Sequence, residues 1–229
     1  MIIAIDGPAG AGKGTLAKRL AGHYGFKYLD SGALYRAVGV TMLQNGQNPE
    51  DADAATEAAQ NLRFDFRQIE DTSFRAFIGD TDVTDTIRTQ EAGDTASKVS
   101  AVPGVRQALK DFQVDFATTW GAATGAVLDG RDIGTVICPK ADIKFFLDAS
   151  AEIRAERRHK ELQNKGHNAI YADVLAEIRE RDDRDRNRSD APLKPADDAK
   201  VVDTGDMSLD DVFNMAREEI DARSREAAS

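Results

Sequence analysis

A glycine-rich loop near the start of the chain constrains its fold and chemistry more than any other segment. It follows Ile2–Asp6, a run of β-forming residues, and precedes Leu16, Leu20 and Ala21, which recur at helical spacing. The loop itself consists of Gly7, Pro8, Ala9, Gly10, Ala11, Gly12, Lys13, Gly14 and Thr15. A strand, a glycine loop and a helix in this order predict a P-loop, whose backbone N–H groups surround a phosphate.

Two side chains of the loop have expected roles. Lys13 would reach the β- and γ-phosphates of a bound nucleotide, at a helix N-terminus that adds positive potential. Gly14 stands where Ser or Thr usually holds Mg²⁺, so we expect the hydroxyl of Thr15 to serve the metal, directly or through water. The alternative is a glycine-rich turn that binds nothing, but such a turn needs one or two glycines rather than several and a lysine.

Composition and charge narrow the classes of protein and ligand. The 229 residues are 41% hydrophobic without a long apolar run, so we expect a core and no membrane span. The net charge of −10 argues against a broad surface for nucleic acid or anionic membranes. The chain enters a strand at once, and its single cysteine, Cys138, cannot form an internal disulfide. We therefore expect no signal peptide and a cytoplasmic location.

Short apolar runs alternate with helical patterns along the chain. The runs are Ile2–Ile5, Lys27–Leu29, Ala126–Leu128, Ile143–Leu147 and Lys200–Val202. This alternation predicts an α/β fold with a five-stranded parallel sheet flanked by helices, in one unit over residues 1–229. Between Leu62 and Val83 apolar and polar residues alternate, which predicts an antiparallel meander within an insertion at residues 61–101.

Two charged segments follow the fourth apolar run. Residues 151–168 carry Arg154, Arg157 and Arg158 on one helix face, which fits either a mobile phosphate-binding lid or a solvated helix. In the helix predicted over residues 169–188, an apolar stripe continues at helical steps into charged residues. The stripe comprises Ile170, Val174, Ile178, Arg181, Asp185 and Arg188. Inward-facing arginines need anionic partners, so this helix end lines either a charged cleft or a ladder of ion pairs.

Four further blocks carry a family resemblance that covers nearly the whole chain. They are Leu29–Arg36, Ile87–Glu91, Asp129–Val136 and Glu180–Arg188. Together with the glycine loop they resemble bacterial cytidylate kinases, which are P-loop nucleoside monophosphate kinases. The resemblance implies phosphoryl transfer from ATP, with Mg²⁺, to CMP or dCMP, by a protein expected to be a monomer.

The resemblance also implies roles for individual residues. Catalysis would depend on Lys13, Arg131, Arg157, Arg158 and Arg188, with Arg157 or Arg158 supplied by a lid at residues 151–168. The acceptor nucleotide would contact Ser31, Arg36, Ser97, Arg106, Arg131, Asp132, Arg181, Asp185 and Arg188. Of these, Arg36, Arg131 and Arg188 would hold its phosphate, Ser97, Arg106 and Asp132 would read cytosine, and Arg181 and Asp185 would contact the sugar.

Two other interpretations stay open from the sequence. A P-loop kinase for UMP, AMP or shikimate would share the loop and many of the arginines. A nucleotide-dependent switch would bind nucleotide without phosphorylating an acceptor. The string nearest to a guanine-recognition motif, Asn164-Lys165-Gly166-His167, lacks the aspartate that such switches carry.

Overall fold

The computed structural model describes residues 1–70, 73–164, 166, 168–187 and 191–228, and this part of the chain forms eight strands and eight helices. The strands are β1 (Ile2–Asp6), β2 (Lys27–Asp30), β3 (Phe64–Glu70), β4 (Ser73–Ile78), β5 (Thr81–Asp82), β6 (Ala126–Gly130), β7 (Ile143–Asp148) and β8 (Lys200–Asp203). The helices are α1 (Lys13–Tyr24), α2 (Ser31–Gln44), α3 (Ala52–Gln60), α4 (Gln90–Val99), α5 (Pro103–Ala123), α6 (Ala151–Asn164), α7 (Tyr171–Asn187) and α8 (Leu209–Ala228). A 3₁₀ turn covers Thr86–Arg88, and a single π-type turn covers Ile133–Ile137.

A five-stranded parallel sheet has the strand order β2-β6-β1-β7-β8. All five of its strands lie where the apolar runs predict them, and the α/β fold class is confirmed. In the register of β1 and β7, Ile3 lies opposite Ile143 and Ile5 opposite Phe145. Nearly every residue of these two strands is buried, as expected for a parallel sheet covered on both faces.

The chain divides into two compact units, residues 1–20 with 129–229 and residues 21–128. In the second unit β3, β4 and β5 form the antiparallel meander that the alternation predicts. Its Phe66 and Phe74 rings pack on Tyr28, with centroids 5.0 and 5.3 Å away. Helices α2 and α4 approach each other closely in the same unit. A Cβ on Gly39 of α2 would lie only 2.7 Å from the Thr95 methyl carbon of α4, so the absence of a side chain at Gly39 permits this approach.

In the first unit α6 and α7 pack around a small apolar cluster. Val174 and Ile178 are buried there against Ala155, as the helical stripe predicts. Ile170, however, precedes α7 and is 63% exposed, so its assignment to the inward stripe is wrong. The reason is the helix boundary: α7 begins at Tyr171, and a residue outside the helix does not follow its period.

Two expectations drawn from composition can be compared with the structure. Among the residues that the structure describes, no helix combines the length and the apolar character needed to cross a bilayer. Cys138 is buried, and burial raises the pKa of its thiol to about 11. The thiol therefore stays protonated near neutral pH, which fits a packing role.

Candidate active site

The loop between β1 and α1 has a backbone that glycine alone adopts readily. Gly7, Gly10 and Gly12 have φ angles of 145°, 81° and 90°. A Cβ on Gly7 would overlap the carbonyl oxygen of Leu147 on the neighbouring strand. The glycines at these positions are therefore required by backbone geometry and close packing, as a phosphate-binding loop predicts.

Three side chains bind carbonyl oxygens of this loop. Lys13 Nζ donates to Pro8 at 2.8 Å, Arg154 Nη1 donates to Ala9 at 3.1 Å, and the Thr204 hydroxyl donates to Ala11 at 3.3 Å. In a trans peptide the C=O and the following N–H point in opposite directions, and the described residues contain no cis peptide. The N–H groups of Gly10 and Gly12, which follow the Ala9 and Ala11 carbonyls, therefore face away from Arg154 and Thr204, and an anion can accept from them there.

A cavity of about 510 Å³ opens beside the loop, within the first unit. Its walls include Gly10, Ala11, Gly12, Thr15, Leu16, Arg19, Leu147, Arg157, Arg158, Glu161, Thr204, Met207, Ser208, Leu209 and Val212. The structure thus brings the predicted loop residues together with both predicted arginines of α6. The volume lies within the usual range for small-molecule sites, and the wall combines apolar side chains with cations and hydroxyls.

The two α6 arginines on this wall differ in their partners. Arg157 donates to the carbonyl oxygens of Thr204 and Gly205, at 2.6 and 3.3 Å. Arg158 pairs with Glu161 at 2.9 Å, and both of these side chains are about half exposed. Arg158 is therefore held less firmly than Arg157, because exposed ion pairs contribute little.

Asp6 is a buried carboxylate that the sequence interpretation left without a role. Its two oxygens accept hydrogen bonds from the backbone N–H groups of Ile133 and Gly134, at 2.8 and 2.7 Å. Burial raises the pKa of Asp6 to about 6, although the two N–H donors partly oppose the shift. Asp6 thereby fastens the turn that follows Arg131 and Asp132 to the end of β1.

The raised pKa of Asp6 makes the stability of the protein depend on pH. The Asp6 carboxyl group binds its proton more tightly in the native state than in the unfolded chain. Protonated Asp6 therefore adds to the free energy of unfolding; this stabilisation is complete below the ordinary pKa of 3.8 and is lost as the pH rises through about 6. The pKa difference corresponds to about 3 kcal/mol. Asp6→Asn should remove this dependence. The difference in free energy of unfolding between wild type and variant, measured by urea unfolding, should therefore fall by about that amount between pH 4 and pH 8. Parallel pH profiles for the two proteins would contradict the assignment.

Helix α7 carries two ion pairs on its inner side. Arg131 Nε donates to Asp185 at 2.8 Å, so two residues predicted for one site are brought together. Asp182 is buried and pairs with Arg154, whereas Arg181 is exposed. The expectation that Arg181 faces inward is therefore wrong, because positions 174, 178 and 182 follow one another at i+4 and direct Asp182 inward. Arg188 lies outside the described residues.

Of the other predicted acceptor residues, Asp132 is half-buried in the first unit, directly before the π-type turn, and four lie in the second unit. Ser31 is the first residue of α2 and is half-buried, Ser97 is exposed on α4, and Arg106 is half-buried on α5. Arg36 on α2 donates to the carbonyl oxygens of Ile87 and Thr89, at 3.0 and 3.4 Å. These bonds hold Arg36 at the start of α4, where a Cβ on Gly93 would lie 3.4 Å from its guanidinium.

The glycine loop lies between a strand of a parallel sheet and a helix, and its Ala9 and Ala11 carbonyl oxygens point away from the side on which an anion can bind. This arrangement defines the P-loop nucleotide-binding class. The profile of the cytidylate kinase family matches residues 3–222. A protein of Paramagnetospirillum magneticum named cytidylate kinase is 55% identical to this chain, over 94% of this chain and 95% of that protein. One of Actinobacillus succinogenes with the same name is 46% identical over 98% of this chain and 100% of its own length. This chain belongs to the cytidylate kinase family.

A solved structure shares the fold at much lower sequence similarity. It is an uncharacterized protein from Eubacterium ventriosum, with a TM-score of 0.53 and 15% identity. The alignment covers 97% of this chain and 98% of that one. This likeness concerns the fold alone.

Proposed function

We propose that this protein transfers the terminal phosphoryl group of ATP to a phosphate oxygen of CMP or dCMP, giving ADP and CDP or dCDP. The glycine loop is the observation that carries the proposal, since Arg154 and Thr204 hold two of its carbonyl oxygens away from the side on which a phosphate can bind, beside a cavity lined by arginines. Family membership supports the choice of acceptor. We expect a cytoplasmic monomer that acts on small nucleotides rather than on nucleic acid.

The geometry suits phosphoryl transfer because this reaction asks a protein for alignment and charge neutralisation more than for covalent chemistry. Lys13 and the loop N–H groups would hold the donor phosphates, while Arg157 and Arg158 would neutralise charge on the transferring group. Arg131, oriented by Asp185, would bind the acceptor phosphate through its remaining guanidinium nitrogens. The roles that the resemblance gives to Ser31, Arg36, Ser97, Arg106, Arg181 and Arg188 belong to the same proposal.

Mg²⁺ fits the side chains on the cavity wall. Mg²⁺ at kinase sites is bound mostly by substrate phosphates and water, with one or two protein oxygens. Among the described residues there is no cluster of three or more His, Cys, Asp or Glu that could hold a metal alone, and Thr15 presents an exposed hydroxyl on the wall. Thr15 would hold the ion, which would neutralise phosphate charge when bound.

We also propose that residues 1–229 act as one kinase unit, in which residues 61–101 bind the monophosphate. Residues 151–168 would form a lid over the nucleotides. Arg154 is buried, and Arg157 is bonded to the Thr204–Gly205 turn, so the first two turns of α6 are fixed within their unit. We therefore place the movable part of the lid after Arg158. Closure over both nucleotides would exclude water, which competes as an acceptor.

Asp132 offers a test of acceptor specificity. Its carboxylate would accept from the exocyclic amine of cytosine and would repel the carbonyl oxygen that uracil presents there. Asp132→Asn should weaken use of CMP and narrow the preference for CMP over UMP, because the amide can donate to uracil. Asp132→Ala should lower kcat/KM for CMP by about 10- to 100-fold, with no matching gain in kcat/KM for UMP.

The measurement is kcat/KM for CMP and UMP in the wild type and both variants. The two replacements differ in donor capacity, so Asp132→Ala is the matched control for the gain expected from Asp132→Asn. An unchanged CMP to UMP ratio in both variants would move base recognition away from Asp132, with Ser97 and Arg106 as the next candidates.

A further inference from the structure

Arg154 makes four hydrogen bonds beside the phosphate loop. It is 1% exposed, although its charge would be costly to bury alone. Its Nε donates to the Ala149 carbonyl at 2.8 Å, and its Nη1 donates to the Ala9 carbonyl at 3.1 Å. Both terminal nitrogens also donate to the two carboxylate oxygens of Asp182. One guanidinium therefore connects the β7–α6 turn, the phosphate loop and α7.

We propose that Arg154 is a positioning residue of the ATP site, and that Asp182 orients it. By holding the Ala9 carbonyl, Arg154 fixes the peptide plane between Ala9 and Gly10, and hence the direction of the Gly10 N–H. Gly10 has a positive φ and no side chain that could fix this plane from within the loop. The fixed N–H group is then oriented for a phosphate before ATP arrives, which reduces the entropy lost on binding.

The proposed role of Arg154 is geometric rather than electrostatic. Asp182 balances the charge of Arg154 in a two-bond pair, so Arg154 adds little net attraction for phosphate. The distance between the loop and α6 is also set closely, because a Cβ on Gly10 would lie 3.2 Å from the Arg154 Cβ. Packing alone would be served as well by an apolar pair, whereas the Ala9 carbonyl needs a donor at this position.

The inference rests on the proposed function, because it takes the loop as the ATP site. ATP binding by the wild-type protein in calorimetry without CMP tests that function, and the variants test the inference. Asp182→Asn breaks the ion pair at nearly constant volume. Arg154→Lys keeps the charge beside Asp182, but its single ammonium cannot span Asp182, Ala149 and Ala9 together. Asp198→Asn is the control, since Asp198 forms an ion pair with the buried Lys144 of the same unit.

The dissociation constant of ATP, the KM for CMP and the melting temperature would be measured for all three variants. We expect Asp182→Asn and Arg154→Lys to weaken ATP binding by about tenfold or more and to change the KM for CMP by less than about threefold. Arg154→Lys should keep more thermal stability than Asp182→Asn. Asp198→Asn should lose stability while its affinity for ATP stays within about twofold of wild type.

Several results would overturn the inference. In one, ATP affinity follows melting temperature across all three variants, which indicates a purely structural pair. In another, Arg154→Lys keeps both the ATP affinity and the melting temperature of the wild type, which would show that the contact with Ala9 is unimportant. If Asp182→Asn does not fold, ATP affinity and melting temperature are compared between Arg154→Lys and Asp198→Asn alone. Similar ATP affinities at similar melting temperatures would then overturn the inference. Failure of the wild-type protein to bind ATP would contradict the proposed function instead.

Discussion

Lys13→Ala is expected to lower kcat by about a thousandfold or more while the protein stays folded. The ammonium of Lys13 is buried at the start of α1 and donates to the Pro8 carbonyl, so it organises the loop and would also neutralise the donor phosphates. The measurement is single-turnover phosphoryl transfer at saturating ATP and CMP, with circular dichroism to verify folding.

Lys18→Ala provides the matched control for Lys13. Lys18 belongs to the same helix but follows the phosphate loop instead of lying within it, so its removal should leave kcat within about threefold of wild type. Near-normal turnover by a folded Lys13→Ala protein would contradict the assignment of the loop as the donor-phosphate site.

Arg131→Ala should lower kcat/KM for CMP by about a thousandfold, with a much smaller effect on ATP binding. Asp185 takes the Nε donor of Arg131 and orients the guanidinium, whose planar fork can bind two phosphate oxygens. Arg131→Lys should recover little activity, because it keeps the charge and loses both the fork and the bond that orients it.

Arg184→Ala is the control for Arg131. Arg184 is exposed on α7 and lies 3.8 Å from Glu180, so its removal should change kcat/KM by less than about threefold. Equal losses at 131 and 184, or full recovery by Arg131→Lys, would contradict the role of Arg131 as a phosphate clamp.

The parts of the fold that depend on local pattern could be predicted from the sequence. The strands of the parallel sheet are buried on both faces, so they appear as continuous apolar runs, and the meander appears as alternation. The phosphate loop is likewise local, since its glycines and lysine lie within nine residues. The start of α7 could not be predicted in this way, because Ile170 continues the apolar spacing without belonging to the helix.

The parts of the site that depend on tertiary contacts could not be predicted in the same way. Arg154, Arg157 and Arg158 share one helix face in the sequence, yet the structure gives them a buried carboxylate, a backbone turn and an exposed partner respectively. Asp6 is the last residue of β1, but the backbone N–H groups that donate to its carboxylate lie more than a hundred residues away, at Ile133 and Gly134. Such pairings become visible once the chain is folded, because sequence periodicity specifies a face and not the partner that covers it.

An assay of ADP release, run with ATP and Mg²⁺ across CMP, dCMP, UMP, AMP and shikimate, is the most direct test of the proposed function. We expect CMP and dCMP to have the highest kcat/KM, about tenfold or more above UMP and further above AMP and shikimate. We also expect ADP release without an acceptor to be negligible beside this rate, because water is excluded from the closed site. A higher kcat/KM for any other acceptor, or ATP binding without transfer to any of the five, would contradict the proposed function.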